Sequence, residues 1–307
     1  MNKKLICIAI LNFILILPIT FYFKYFPVII SNTITNVFIF ILISTFIVLL
    51  IYGVTIIGKN NKDYLFILPQ SIIFIFLVSA IPNLRLLYPL DSDPYFYLVS
   101  TLNIIKYGTL NPILSNWYPQ INQQLHWPIL ELLTTNLALI SNINPLQLML
   151  FLMPFIGVIT FLFIFILVKN VANDNRISLL AALISSVSAI SIFYNSEYHP
   201  QAIAFLFFIF IIYFYYKFKN FKIRMFGVLM LFAILVFAMS HHFSSLFIGL
   251  FALIYIITIF ILSKLNFLDD DFINLTNEIK NYNFWILIAV SMLPISLLSM
   301  QHPNQHL

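Results

Sequence analysis

The feature that most constrains this chain is the recurrence of apolar segments of about 17–23 residues, the length that an α-helix needs to cross a bilayer. Of the 307 residues, 62% are hydrophobic and 8% are charged, whereas soluble domains carry about 25% charged residues. We therefore predict an all-α, polytopic membrane helical bundle with about nine transmembrane helices. The predicted spans lie near 5–23, 37–57, 64–82, 146–168, 177–193, 200–216, 225–239, 245–262 and 284–300.

The connections between the predicted spans indicate one membrane domain. No repeat of 20–50 residues and no Gly/Ser-rich linker is visible, so we predict a single transmembrane domain over 1–307. It has a long outer loop at 83–145 and a cytoplasmic loop at 264–283. The segment 128–140 would cover only about 20 Å as a helix, so we predict that it lies on the surface or re-enters without crossing. A single cysteine, Cys7, provides no disulfide framework within the chain.

The basic residues predict the orientation. If the N-terminus is cytoplasmic, twelve of the fifteen basic residues fall on the cytoplasmic side, and only Lys24, Arg85 and Lys106 lie outside. This holds only if 128–140 does not cross. The first span is longer than a signal-peptide core and lacks a small-residue cleavage site. We predict a multi-pass protein of the cell membrane, surrounded by membrane lipids, and the net charge of +5 is no signal of nucleic-acid binding.

Two carboxylates, Asp91 and Asp93, lie close together in the outer loop. Asp93-Pro94 predicts a helix start, because Asp can cap the first turn and Pro loses no hydrogen bond there. The helix should run to about Lys106 and stop at Gly108, lying along the membrane surface. Its apolar side is formed by Tyr95, Leu98, Val99, Leu102 and Ile105, and its other side by Ser100, Thr101 and Asn103. An ordinary cap on a loop helix would explain the same residues.

A second polar group, Glu197 with His199, lies in the short link between the fifth and sixth predicted spans. A turn there needs only caps such as Ser196 and Pro200. Ionisable groups near hydrocarbon are costly, so they suggest function. The alternative is a solvated turn in which Glu197 caps a neighbouring helix.

Other outer residues have plainer explanations. The pair His241-His242 is also at home at a membrane interface, and Trp117, Tyr118 and Trp127 fit an interfacial aromatic belt. Glu131 faces either the loop or the bundle, and the sequence does not decide which.

The chemistry that remains is that of carboxylates and histidines at a lipid-adjacent surface. The chain has no Gly-rich phosphate loop, no GxSxG elbow and no HExxH motif. Such a set suits a hard divalent ion, or a general base acting on a hydroxyl while a cation stabilises a phosphate leaving group.

The stretch DPYFYL at 93–98, running to IIKYG at 104–108, resembles the first outer loop of the GT-C superfamily of polyprenyl-phosphate-dependent glycosyltransferases, above all the catalytic subunit of oligosaccharyltransferase. HWPIL at 126–130 resembles that family's second juxtamembrane helix, and LMPFIGV at 152–158 resembles the following span. Residues 178–182 and Glu197 fall where the family places its second acidic motif. The resemblance covers roughly residues 85–205, and the order and spacing of short motifs carry most of it.

The resemblance implies a GT-C-like fold with two juxtamembrane helices, and sugar transfer at the extracytoplasmic face. The donor would be a polyprenyl-phosphate- or diphosphate-linked sugar, and the acceptor a lipid, a glycan or a protein. Asp93 would be the base or a metal ligand and Glu197 the second carboxylate, with Asp91 and His199 in support. The candidate substrate- and phosphate-binding residues are Arg85, His126, His241 and His242. A divalent metal, Mg or Mn, would be held by Asp93, Glu197 and His199.

The chain departs from the family's pattern in two places. The second acidic motif has one acid followed by Tyr198-His199 instead of two acids, so His199 either replaces a ligand or contacts phosphate. The sequence ends at Leu307 without a large outer domain, which indicates a different GT-C enzyme or a fragment. The rival hypotheses are a transporter or flippase of lipid-linked saccharides and a non-catalytic envelope-assembly subunit. The absence of charged residues inside the predicted spans favours surface chemistry over transport.

Overall fold

The computed structural model is all-helical over the residues that it describes, which are 4–8, 10–15, 33–57, 62–86, 93–108, 128–241 and several positions between 244 and 257. Within these ranges the helices are α1 Lys4–Leu15, α2 Thr33–Ile56, α3 Tyr64–Leu86, α4 Asp93–Tyr107, α5 Ile129–Ser141, α6 Pro145–Ala172, α7 Asn175–Val187, α8 Ala189–Ser196, α9 Pro200–Phe221 and α10 Arg224–Ser240. The predicted spans 245–262 and 284–300 and the predicted loop 264–283 fall almost entirely outside the described residues.

Two of these helices, α6 and α9, are long and apolar enough to cross a membrane. They confirm the predicted spans 146–168 and 200–216 as apolar helices of sufficient length. Shorter apolar helical stretches occur at Lys4–Leu15, Ile43–Ile56, Tyr64–Ala80, Ile129–Ser141 and Arg224–Ser240. The total of nine spans stays a prediction.

The predicted span 177–193 is not one straight helix. It is divided between α7 and α8, which are bent by 66° and form a third span only if the bent pair counts as one. Ser188 stands at the break and caps α8, since its side-chain oxygen accepts a hydrogen bond from the backbone N–H of Ser191 at 3.3 Å.

The described helices belong to two compact units. The first takes its residues from Met1–Thr109 and Glu131–Ala202, and the second from Leu110–Leu130 and Ile203–Leu307. The prediction of a single domain stays a prediction.

In the first unit, α3 and α6 pack antiparallel. At one end, Lys169 Nζ donates to the Tyr64 hydroxyl at 3.1 Å and lies 4.2 Å from the centre of that ring. At the other end, Asn83 of α3 donates to the backbone carbonyl of Leu150 in α6 at 3.2 Å. These contacts fix the register of the two helices along their whole length.

The two short helices predicted in the outer loop are both present. Helix α4 spans Asp93–Tyr107 and ends at Gly108, whose φ of 66° requires the left-handed conformation that glycine adopts easily. Helix α5 has 13 residues, too few to cross a bilayer. Both predicted helices are therefore confirmed as helices, and that neither of them crosses the membrane stays a prediction.

The second unit contains the antiparallel pair formed by most of α9 and all of α10. Phe208 faces Phe237 with ring centres 6.3 Å apart, and Phe214 faces Phe226 at 6.5 Å. Its buried core consists of Ala204, Ile211, Met230, Ala233, Ile234, Phe237 and Ala238.

Candidate functional site

The link between α8 and α9 is buried. Glu197 ends α8, with its backbone N–H bonded to the Phe193 carbonyl at 3.0 Å, and Pro200 begins α9. The side chain of Glu197 is 4% exposed and that of Tyr198 is 1% exposed. A solvated turn would expose both residues, so the link is packed into the protein and not solvated.

Asn83 holds the link in place through two backbone carbonyls. Pro154 lies inside α6 and has no N–H, so the carbonyl of Leu150, four residues earlier, lacks its helical partner. The Ser196 carbonyl is one of the unbonded carbonyls at the end of α8. The Asn83 amide nitrogen donates to Leu150 at 3.2 Å and to Ser196 at 2.6 Å. One buried side chain therefore satisfies two carbonyls and joins three helices immediately before Glu197.

Gly157 makes room for the end of α8. A Cβ at this position would lie 2.8 Å from the Cγ of Asn195 and 3.2 Å from its Cβ. The second of these atoms is next to the backbone and cannot swing away. A glycine in α6 is therefore needed for α8 to approach this closely.

The first helix of the predicted outer loop, α4, packs against the link. The ring of Tyr97 lies 6.1 Å from the rings of both Tyr198 and His199. The side of α4 predicted to be polar faces inward, because Ser100 and Thr101 are buried while the apolar Tyr95 and Leu102 are exposed. This orientation leaves apolar side chains exposed on the outer side of α4.

The second helix of the predicted outer loop, α5, contacts the same link. Its Thr134 shares a hydrogen bond with the Tyr198 hydroxyl, and Thr101 of α4 also bonds that residue. Tyr198 therefore connects α4 and α5 to the link, where it lies between Glu197 and His199.

Glu131, in the first turn of α5, lies close enough to Tyr198 to affect its ionisation. The Glu131 side chain is 2% exposed, and its Oε2 has no hydrogen-bond partner in the described part of the chain. Burial raises the pKa of Glu131 from 4.5 to about 8, although a hydrogen bond from its own backbone N–H lowers it in part. The carboxyl is therefore mostly neutral at pH 7.

Tyr198 stays neutral for a similar reason. Burial is the largest cause that raises the pKa of its hydroxyl, and the nearby Glu131 and Tyr97 raise it further. The hydrogen bonds from Thr134 and Thr101 oppose this shift without reversing it. Tyr198 is thus a hydrogen-bonding anchor and not an acid.

The ring of His199 is held by a neighbour in its own link. Its Nδ1 is hydrogen-bonded to the side chain of Gln201, in the first turn of α9.

For most of the other predicted site residues, the side chain lies outside the described part of the chain. Only the backbones of Arg85 and Asp93 belong to the described part of the chain, and Asp91, His126 and His242 lie outside it. Asp93 begins α4, one turn before Tyr97. His241 belongs to the second unit, where its Nδ1 lies 2.9 Å from the Ser244 hydroxyl.

The described side chains include no group of three or more His, Cys, Asp or Glu residues that could hold a metal ion. Since the Asp93 side chain is not among them, the predicted set of Asp93, Glu197 and His199 stays a prediction. Carboxylate oxygens and an imidazole nitrogen are suitable donors for Mg or Mn.

Comparison of the chain with models of protein families, with curated proteins and with solved structures finds no match.

The sequence did not single out Asn83, Thr134 or Tyr198, and it left the direction of Glu131 open. Asn83 and Thr134 are ordinary polar residues on apolar helices, where only their partners reveal a role. For Tyr198 the sequence did offer a signal, because it lies between the two candidate residues Glu197 and His199 in a short link.

Proposed function

We propose that this protein is a membrane glycosyltransferase of the GT-C type, which transfers a sugar or oligosaccharide from a polyprenyl-phosphate or diphosphate donor to a lipid, glycan or protein acceptor. The observation that carries the proposal is the contact of Tyr97 with Tyr198 and His199. It brings the helix that begins at Asp93 against the link that contains Glu197, as the resemblance requires of two acids that share one site.

In this proposal Asp93 is the base that takes the proton from the acceptor hydroxyl, or a ligand of the metal ion. Glu197 is the second carboxylate, and His199 and Asp91 support them. A divalent Mg or Mn ion would lower the charge on the phosphate leaving group. Arg85, His126, His241 and His242 are the candidate contacts to substrate and phosphate.

The proposed setting is the cell membrane, with about nine spans and a cytoplasmic N-terminus. The helices long and apolar enough to cross a membrane support a membrane location. The exposed apolar side of α4 supports a site next to lipid, where a polyprenyl chain would lie while its phosphate reaches water. The site would face the extracytoplasmic side.

One observation favours the rival hypothesis of a transporter or flippase for lipid-linked saccharides. The α7–α8 pair is bent by 66°, and broken helices are common in transporters. The buried Glu131 does not add to this argument, because it lies in a helix too short to cross.

Purified protein incubated with a labelled polyprenyl-phosphate sugar, with and without chelator, tests the proposal. A glycosyltransferase releases the lipid phosphate and labels an acceptor. A flippase in vesicles moves the intact labelled lipid between leaflets, and a scaffold does neither. Loss of transfer on chelation, with recovery on adding Mg or Mn, would support the metal site. Translocation without transfer would contradict the proposal.

A further inference from the structure

The connection between α9 and α10, which we call the basic turn (residues 217–225), carries a dense group of basic residues. They are Lys217, Lys219, Lys222 and Arg224, in the sequence KFKNFKIR. The chain has no Asp or Glu in 198–268, so no acid close in sequence balances these charges. The last three of the basic residues are exposed. The basic turn is therefore a surface of positive charge.

Packing between α9 and α10 gives the basic turn a defined shape. Helix α9 ends at Phe221 and α10 begins at Arg224, so the connection is tight. The backbone N–H of Lys222 bonds the Phe218 carbonyl at 2.9 Å and closes the end of α9. The Phe218 ring packs on α10 at Gly227, where an added Cβ would lie 3.3 Å from it. The basic residues at the end of one helix and the start of the next are thus held together.

Two of the basic residues stand where the local backbone favours other residue types. Lys222 has a φ of 54°, in the left-handed region that glycine and asparagine adopt more easily. Arg224 begins α10, where the helix dipole favours acids and disfavours a positive charge. The fold of the turn therefore explains neither residue. The property that they share is positive charge, which indicates an anionic partner.

Exposed apolar side chains alternate with the basic ones. Phe221 is 58% exposed, Ile223 is 47% exposed and Met225 is 61% exposed. The Nζ of Lys217 lies 4.9 Å from the centre of the Phe221 ring and 5.6 Å from that of Tyr213, so its side chain runs along aromatic surface. Hydrocarbon disfavours the charges, and water disfavours the apolar groups. The boundary between acyl chains and lipid headgroups accommodates both.

We propose that the basic turn binds anionic phospholipids. Helix α9 is long and apolar enough to cross a membrane, so the turn that follows it would lie at a membrane face. Lys219, Lys222 and Arg224 would contact the lipid phosphates, and the exposed apolar side chains between them would enter the acyl region. A soluble anion would leave those apolar side chains unexplained. The inference goes beyond the proposed sugar transfer and does not depend on it.

Lipid titration of the full-length protein tests the proposal. Detergent-solubilised protein is titrated with phosphatidylglycerol or phosphatidylcholine, and bound lipid is counted by native mass spectrometry. A basic residue near an anionic surface changes the affinity about fivefold, so Lys219→Gln/Lys222→Gln/Arg224→Gln should bind phosphatidylglycerol on the order of a hundredfold more weakly. The matched control Lys3→Gln/Lys59→Gln/Lys62→Gln removes the same charge elsewhere in the chain and should keep the wild-type affinity.

Four results would overturn the proposal. They are equal wild-type affinity for the two lipids, wild-type affinity in the basic-turn variant, equal weakening in both triple variants, and displacement of the lipid by inorganic phosphate at an equal concentration. If the basic-turn variant does not fold, Arg224→Gln decides, because glutamine is compatible with the start of α10. It should bind phosphatidylglycerol about fivefold more weakly, and an unchanged affinity would equally overturn the proposal.

The competing occupant of the basic turn is an acidic stretch of the same chain. Asp269, Asp270 and Asp271 lie outside the described residues. If they covered the basic turn, replacing all three by asparagine would strengthen the binding of phosphatidylglycerol, which would contradict the proposal. We expect the affinity of that variant to equal the wild-type affinity.

Discussion

Replacing Asn83 by alanine should cost roughly 2–6 kcal/mol of unfolding free energy, because it leaves two buried carbonyls without a partner at about 1–3 kcal/mol each. The two carbonyls belong to Leu150 and Ser196. The first needs a side-chain donor only because Pro154 supplies no backbone N–H. The link that begins at Glu197 should become more mobile as well, since Ser196 loses its attachment.

Pro154 makes this prediction sharper. In a Pro154→Ala background the backbone N–H at position 154 returns, and the Leu150 carbonyl regains its helical partner. Asn83→Ala should then cost about half of what it costs in the wild-type background, because only the Ser196 carbonyl is left unbonded. The two substitutions are thus predicted to be non-additive by roughly 1–3 kcal/mol, the cost of one unbonded carbonyl.

Equilibrium unfolding in mixed micelles of increasing SDS content, followed by circular dichroism, measures these differences. Asn136→Ala is the matched control. The amide of Asn136 also donates to a backbone carbonyl, that of Leu132 at 2.8 Å, but this position is exposed. Its replacement should therefore cost less than about 0.5 kcal/mol of unfolding free energy. An equal cost of Asn83→Ala in the wild-type and Pro154→Ala backgrounds would refute the reasoning.

Two further substitutions test the first unit. Wild-type protein should lose stability as the pH rises from about 5 to about 8, because folded Glu131 keeps a proton that the unfolded chain releases near pH 4.5. Glu131→Gln should remove this loss. Thermal midpoints measured across that range should therefore fall with pH in the wild type and stay level in the variant. Gly157→Ala should lower the thermal midpoint, because the new Cβ meets the Cγ and Cβ of Asn195. Gly53→Ala is the control and should be tolerated, because its new Cβ comes closest to the end of the flexible Ile67 side chain. Similar midpoints of the two variants would contradict this packing.

The local signals in the sequence predicted the ends of the short helices well. Asp93-Pro94 and Gly108 act through their own backbone chemistry, so the start and stop of α4 needed no partner to be recognised. The bounds of the short apolar segment 128–140 likewise predicted the helix α5 to within a residue at each end. Such features depend on one segment alone.

Features that depend on two segments were not predictable. The hydropathy of 177–193 is continuous, and only Ser188 among neighbouring serines hints at the break between α7 and α8. The sequence of α5 does not decide whether Glu131 faces the loop or the bundle, because its burial depends on helices that other segments supply. The role of Asn83 follows from a proline about seventy residues later in the chain, a relation that no local pattern contains.

The central claim is that the helix beginning at Asp93 and the link containing Glu197 form one site for sugar transfer. The most direct test is the rate of transfer from a labelled polyprenyl-phosphate sugar by purified Asp93→Asn, with wild-type protein as the reference. Asparagine can still cap α4, so folding and membrane insertion should be unchanged. We predict that transfer falls at least about a hundredfold, as expected on loss of a general base or metal ligand. Transfer at the wild-type rate by a properly inserted Asp93→Asn would contradict the claim.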